Sequence, residues 1–165
     1  MAKIVTLKNP DGETIYPVTK ASAVDGINNS IITVAGSGGD VIINATTTIS
    51  FDNVRSVYGT GLTFDSATHS VVIGAGISKV KVSSSIFYTM TSGGFYYSWY
   101  RLYINGANPT TGEFIGMTNV NSSYGTASLA PALIDVSQGD KITLMNIDRG
   151  TIRGIDSYMT VEVVA

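Results

Sequence analysis

The only histidine, His69, lies in the run Asp65-Ser66-Ala67-Thr68-His69-Ser70, where an imidazole, a carboxylate and hydroxyls stand close in sequence. A nucleophilic triad needs a base held by a carboxylate beside an activated hydroxyl. The run has no nucleophile elbow and the composition of a polar turn between two strands. With one histidine and no cysteine, a zinc centre would have to be carboxylate-rich, which is uncommon. Glycoside hydrolysis needs only two carboxylates, and Glu113, Asp148 and Asp156 are the candidates, all in or near loop-like stretches where acidic residues are ordinary. Gly74-Ala75-Gly76 is followed by neither Lys-Ser/Thr nor a helix, so it reads as a turn rather than a phosphate loop. Calcium stays open, because Asn146, Asp148 and Asp156 carry oxygen ligands, although no EF-hand spacing exists. The expectation is a protein that is not an enzyme, with no catalytic residue, no assigned metal site and no resident cofactor.

Recognition chemistry is better represented. Saccharides are bound by ring stacking together with planar hydrogen-bonding groups. Asn119-Val120-Asn121-Ser122-Ser123-Tyr124-Gly125 has that character, and Asp148-Arg149-Gly150-Thr151-Ile152-Arg153 adds charge. The expected ligand-contacting residues are Asn119, Asn121, Tyr124, Asp148, Arg149 and Arg153, read as loop residues.

These side chains must be positioned by strands. The chain of 165 residues is 44% apolar, 13% charged and rich in glycine, with a formal charge of −2. That composition fits short strands joined by tight turns. Between Thr46 and Val164 some eight to ten strand signals follow one another without a convincing amphipathic helix, which predicts an all-β sandwich or jelly roll. Val80, Val82, Ile86 and Tyr88 alternate with Lys79, Lys81, Ser83 and Ser85, as in a strand of an outer sheet with one wet face. In the next strand Tyr100, Leu102 and Ile104 mark the core side and put Tyr97, Trp99, Arg101 and Tyr103 opposite. In the last strand Met159, Val161 and Val163 alternate with Tyr158, Thr160 and Glu162. A far face carrying Trp, Tyr, Arg and Glu has the composition of an interface.

From Gly61-Leu62-Thr63-Phe64 onward the order of motifs resembles the globular heads of complement C-one-q and their TNF-like jelly-roll relatives. Val71-Val72-Ile73-Gly74-Ala75-Gly76 runs into Ser78-Lys79-Val80-Lys81-Val82. Then come Arg101-Leu102-Tyr103-Ile104-Asn105-Gly106, Val136-Ser137-Gln138-Gly139-Asp140-Lys141-Ile142-Thr143-Leu144 and Ser157-Tyr158-Met159-Thr160-Val161-Glu162-Val163. The resemblance covers residues 46–165 and implies a homotrimer whose inner sheets meet at a threefold axis. It implies Tyr97, Trp99, Arg101, Tyr103, Tyr158 and Glu162 as trimer-interface residues. It also makes the strand ending at Asn105 a neighbour of the terminal strand, with Arg101 and Glu162 as a cross-strand pair. The opening Asn9-Pro10-Asp11-Gly12-Glu13-Thr14-Ile15-Tyr16-Pro17-Val18-Thr19-Lys20 resembles that of bacteriophage tail-fibre and receptor-binding proteins, in which such a segment joins fibre to tail.

The same opening reads as a hairpin, Ile4 to Leu7 and Thr14 to Val18 around a type I turn, with one helical turn after it between Thr19 and Asn28. Ala35-Gly36-Ser37-Gly38-Gly39 reads as a flexible, stem-like connector. The expected division is a virion-attachment segment and stem over 1–45 and a jelly-roll head over 46–165. No basic stripe signals nucleic acid, and no apolar run approaches the ~20 residues that span a bilayer. Met1 to Lys8 lacks the apolar core of a secretory signal. Together with these features, the tail-fibre resemblance implies a phage virion protein made in the host cytoplasm, attached to a tail or baseplate protein and adhering multivalently to a bacterial surface receptor, a saccharide. A purely structural virion component and a TNF-like cellular binding protein are the alternatives.

Overall fold

The computed structural model describes residues 7–8, 14–15, 29–89, 96–109, 115–120, 124–147 and 150–164. Its strands in chain order are β1 (Leu7–Lys8), β2 (Thr14–Ile15), β3 (Ile31–Ala35), β4 (Asp40–Ile43), β5 (Thr47–Thr48), β6 (Asn53–Tyr58), β7 (Leu62–Asp65) and β8 (Ser70–Ile73). They continue with β9 (Lys79–Thr89), β10 (Tyr96–Ile104), β11 (Ile115–Val120), β12 (Tyr124–Asp135), β13 (Lys141–Asn146), β14 (Gly150–Arg153) and β15 (Tyr158–Val163). The hairpin expected at the start is present as the antiparallel pair β1 and β2, with Leu7 opposite Ile15. The expected helical turn over 19–28 lies outside the described residues.

Strands β3 to β15 share one hydrogen-bonded ladder that folds over on itself. The front leaf runs β6-β3-β15-β9-β12 and the back leaf β11-β10-β13-β8-β7, every pairing being antiparallel. At the corner Met117 pairs with Ser128, joining β11 to β12. Strand β12 is bulged between Leu129 and Ala132, where Pro131 has no N–H to give the ladder. The core lies between the leaves. Strand β9 supplies Val80, Val82, Ile86 and Tyr88 to it, as alternation predicts, and faces Leu102, Ile142 and Leu144 of the back leaf.

Two tyrosines cross the core in opposite senses and tie the leaves together. Tyr100 of β10 is fully buried, and its hydroxyl meets Ser84 Oγ of β9 at 2.9 Å. Tyr88 of β9 donates to Asn146 Oδ1 of β13 at 2.8 Å. Both hydroxyls therefore keep a partner inside an otherwise apolar layer. Burial pushes the Tyr100 hydroxyl from 10.0 up to about 12, opposed in part by the Ser84 hydrogen bond. The native state holds that proton more tightly than the unfolded chain does. Stability is thus fully present below pH 10 and falls as pH rises toward 12. Thermal melts across that range are expected to record a loss of about 2 kcal/mol that Tyr100→Phe abolishes, leaving a small pH-independent cost from the unpaired Ser84 hydroxyl.

Three expectations are corrected. The head does not begin at 46, because β3 is inserted between β15 and β6 and buries Ile32, Val34 and Ala35 in the core. The Gly/Ser tract is packed rather than a free stem. A side chain on Gly36 would approach Gly154 Cα to 2.6 Å, and Ser37 donates from both N and Oγ to the Asp52 carboxylate. Finally, Gly150–Arg153 is a strand, β14, paired with β4 and with the end of β9, where a charged loop was expected. Its four residues interrupt alternation, with Thr151 and Ile152 both buried, so no period of two was there to read.

Candidate functional site

Two regions of the front leaf stand out. The first is a crosswise row on its outward face. Register places Leu133 opposite Lys81, Lys81 opposite Glu162, Glu162 opposite Ile31 and Ile31 opposite Tyr58, so one line crosses all five strands. At its centre Lys81 and Glu162 form an ion pair. Its ends are apolar and open: Leu133 is 57% exposed, Ile31 36% and Tyr58 68%. The next row carries Ser56, Thr33, Thr160 and Ser83, with Thr33 Oγ1 and Thr160 Oγ1 sharing a hydrogen bond of 3.0 Å. Among the described residues, the exposed large apolar side chains belong to the front leaf, the adjoining β4 strand, or the turn and tail flanking β15, and none to the back leaf.

The second region is the far end of β9. Thr89 pairs with both Tyr124 and Thr151, so the ends of β9, β12 and β14 converge there. Phe87 stacks on Tyr124 at 5.7 Å between ring centroids, and the Arg153 guanidinium lies 5.5 Å above the Phe87 ring. Arg153 Nε donates to Asp40 Oδ1 at 3.0 Å, and Thr89 Oγ1 to Asp40 Oδ2 at 3.3 Å. A continuous Arg-Phe-Tyr row with one carboxylate behind it results. Tyr124 is its open member, at 64% exposed.

Of the expected ligand residues, Tyr124 and Arg153 are therefore brought together, although both sit on strands rather than loops. Phe87 and Asp40, which join them, escaped the sequence reading. Phe87 breaks the polar series on its face of β9, a departure that was there to notice. Asp40 is 113 residues from its partner Arg153, and no local pattern links the two. Asn119 is described only in its backbone, opposite Tyr97 on β10. Asn121, Asp148 and Arg149 lie outside the described residues.

The expected interface residues divide between two faces. Strand β10 pairs with β11 and β13, while β15 pairs with β3 and β9, so the two are not neighbours. Trp99, Arg101 and Tyr103 look out from the back leaf, with the Arg101 guanidinium 4.9 Å above the Trp99 ring. Tyr158 and Glu162 look out from the front leaf, opposite in direction. The expected Arg101–Glu162 pair is thus corrected: the partner of Glu162 is Lys81. Nor is β9 in a different sheet from the terminal strand. Tyr97 is described in its backbone alone. Tyr158 lies beneath the Arg55 guanidinium, 5.7 Å from its centroid.

Those residues weighed for catalysis and calcium that are described have structural partners. His69 Nδ1 donates to the Phe51 carbonyl at 2.6 Å from a left-handed turn position with φ of 52°. In the same turn, the Thr68 hydroxyl and the Lys141 ammonium hold the Asp65 carboxyl well below the usual carboxylate range. Asn146 is buried, its Oδ1 accepting from Tyr88, and its Nδ2 donates to the Asn44 carbonyl at 3.3 Å. Asp156 stands 3.9 Å from Arg153. Glu113 is outside the described residues. Among the described residues no three His, Asp or Glu side chains converge as metal ligands, and no helix is long and apolar enough to cross a membrane.

No protein-family model matches the sequence, and no curated protein sequence is similar to it. Solved structures are. Murine APRIL is 11% identical, with 82% of this chain and 99% of that one covered at a TM-score of 0.62. The globular domain of zebrafish complement 1qA protein is 10% identical, with 82% and 97% covered at 0.59. The PRD1 vertex protein P5 is 19% identical, with 85% and 99% covered at 0.52. At such identities the likeness concerns architecture, and together with the two antiparallel leaves it defines the fold: this chain is an all-β, TNF-like and complement C-one-q-like jelly roll.

Proposed function

We propose that the chain is a receptor-binding protein of a phage virion, a tail-fibre or baseplate component. Its jelly-roll head assembles as a homotrimer and adheres to a bacterial surface saccharide without chemical turnover. The observation that carries this reading is that, among the described residues, the exposed large apolar side chains lie on the front-leaf side of a TNF-like sandwich. Patches of that kind mark surfaces that meet another protein, and a second copy of the head is the partner proposed here. The likeness to a phage vertex protein supports a place on a virion, with the segment around β1 and β2 as the attachment to tail or baseplate. Three equal sites per head, and several heads per particle, turn weak single contacts into firm attachment through effective concentration.

The saccharide contact is proposed at the Thr89 end, where Tyr124 offers a ring face beside Phe87, Arg153 and Asp40. The full chain is expected to bind susceptible cells and to compete with infection. Tyr124→Ala combined with Phe87→Ala is expected to lower cell binding about tenfold with native mass unchanged, since two ring contacts of about 0.5–1.5 kcal/mol each are lost. Cell binding equal to that of the unaltered chain would remove the site. Absence of binding by the unaltered chain would favour a second reading, a structural virion component, which the likeness to a vertex protein also supports.

A further inference from the structure

The charges at the Thr89 end favour one class of saccharide over another. Phe87 stands on β9 between β12 and β14, with Tyr124 on one side of its ring and the Arg153 guanidinium on the other. Arg153 in turn has two carboxylates beside it. Asp40 Oδ1 accepts from Nε at 3.0 Å, and Asp156 Oδ2 lies 3.9 Å from Nη1. One positive charge against two negative ones leaves a sum of −1 for these three residues. The neighbouring charges do not change that sum. Arg55, which donates to the Ile155 carbonyl at 2.6 Å, is offset by Asp52, whose carboxylate holds Ser37. Lys81, on the same face of β9 as Phe87, lies about 20 Å along the strand and is paired with Glu162.

What this end offers a ligand is therefore acceptor capacity beside an open ring. An ionised carboxylate has about four acceptor positions. Asp40 uses one for Arg153 and one for the Thr89 hydroxyl, and it stays half-exposed. Thr89 is paired with Tyr124, so the Asp40 carboxylate and the exposed Tyr124 ring flank the same residue. Sugar hydroxyls can donate to such a carboxylate, and a bond to an ionised acceptor is stronger than one to a neutral group. A uronate, sulfate or phosphate has no donor to give, and it would have to displace Asp40 from Arg153 or stand beside a like charge.

We infer that the site takes an uncharged saccharide and rejects anionic ones. The sugar ring lies on Tyr124 and its hydroxyls donate to Asp40, while Arg153 holds that carboxylate in place and Asp156 keeps the local charge negative. The inference deepens the saccharide reading above and rests on it.

The test uses the full chain, labelled, on an array of immobilised oligosaccharides in matched sets, each sugar present uncharged and as its uronate, sulfate or phosphate. Binding is expected on uncharged members alone and is expected to change little as salt is raised, because no ligand charge is there to be screened. Binding to an anionic member as strong as to its uncharged counterpart would overturn the inference while leaving the saccharide site standing. Binding to no member would remove the saccharide reading and the inference with it. Asp40→Asn combined with Asp156→Asn keeps the side-chain shapes and turns the local sum from −1 to +1, the charge of Arg153 alone. With an unchanged melt, this variant is expected to bind uncharged members about tenfold more weakly and to gain binding to the uronates. Tyr124→Ala combined with Phe87→Ala is expected to weaken binding without any such change of preference. If the variant with both Asp→Asn changes keeps the preference of the unaltered chain, these carboxylates do not set the specificity and the inference falls.

Discussion

A chain shortened to begin at Thr46 is expected to fail to fold, whereas one beginning at Asn29 folds as the full head does. The shorter form loses β3, whose Ile32, Val34 and Ala35 are buried and whose backbone bonds β15 on one side and β6 on the other. Burying a Val or Ile side chain contributes about 1.5–3 kcal/mol, so Ile32 and Val34 together contribute about as much as the lower end of the total stability of an ordinary domain, about 5–15 kcal/mol. Further losses follow from β6, which among the described residues pairs with β3 alone, and from the bare edge left on β15. Ser30 adds a local tie, its hydroxyl accepting from Gly61 N at 2.9 Å inside the protein. Far-ultraviolet circular dichroism and a cooperative melt distinguish the two forms. A cooperative transition in the form starting at Thr46 would show that β3 is an accessory to the core.

The second large effect is expected at Gly116. Strand β11 passes directly over the Tyr100 ring, and a Cβ on Gly116 would come within 2.5 Å of Tyr100 Oη and nearer still to Cζ. Tyr100 cannot retreat, since its hydroxyl is held by Ser84 Oγ and its ring is fully buried. Gly116→Ala is therefore expected to cost about 3 kcal/mol, the upper part of the usual range for overpacking, and to lower the melting temperature by roughly 10 °C. Replacing Tyr100 by Leu in the same chain removes the clashing ring. The double variant is then expected to be clearly more stable than the sum of the two single changes predicts. Additive losses would mean that Gly116 matters for its backbone and not for the ring above it.

The two predictions sit on opposite sides of what could be read in advance. Strand-by-strand alternation was legible because a side chain in a strand faces the side opposite its neighbours. It correctly turned Val80, Val82 and Tyr88, and likewise Tyr100 and Leu102, toward one core. It could not say that β9 lies beside β15, or that β10 does not. Parity was read across strands as though Trp99 and Glu162 belonged to one sheet, and the ladder assigns them to opposite faces of the sandwich. Gly116 looked like any glycine in a strand until β11 was laid over Tyr100.

What the amino-acid sequence determined by itself was the class of the fold, the approximate positions of most strands, the turns at Gly74-Ala75-Gly76 and around His69, and which side of each long strand is apolar. These follow from periodicity and turn chemistry, which act over a few residues. Only the tertiary structure decided that Ile31–Ala35 belongs to the head, that Gly150–Arg153 is a strand, that Arg153 meets Phe87, Tyr124 and Asp40, and that Leu133 and Tyr58 end one row across the front leaf. In a jelly roll, strands that touch are often far apart in the chain, as Asp40 and Arg153 are by 113 residues. Their pairing is selected by shared burial and hydrogen bonding across the whole sandwich, and no local pattern of side chains records it.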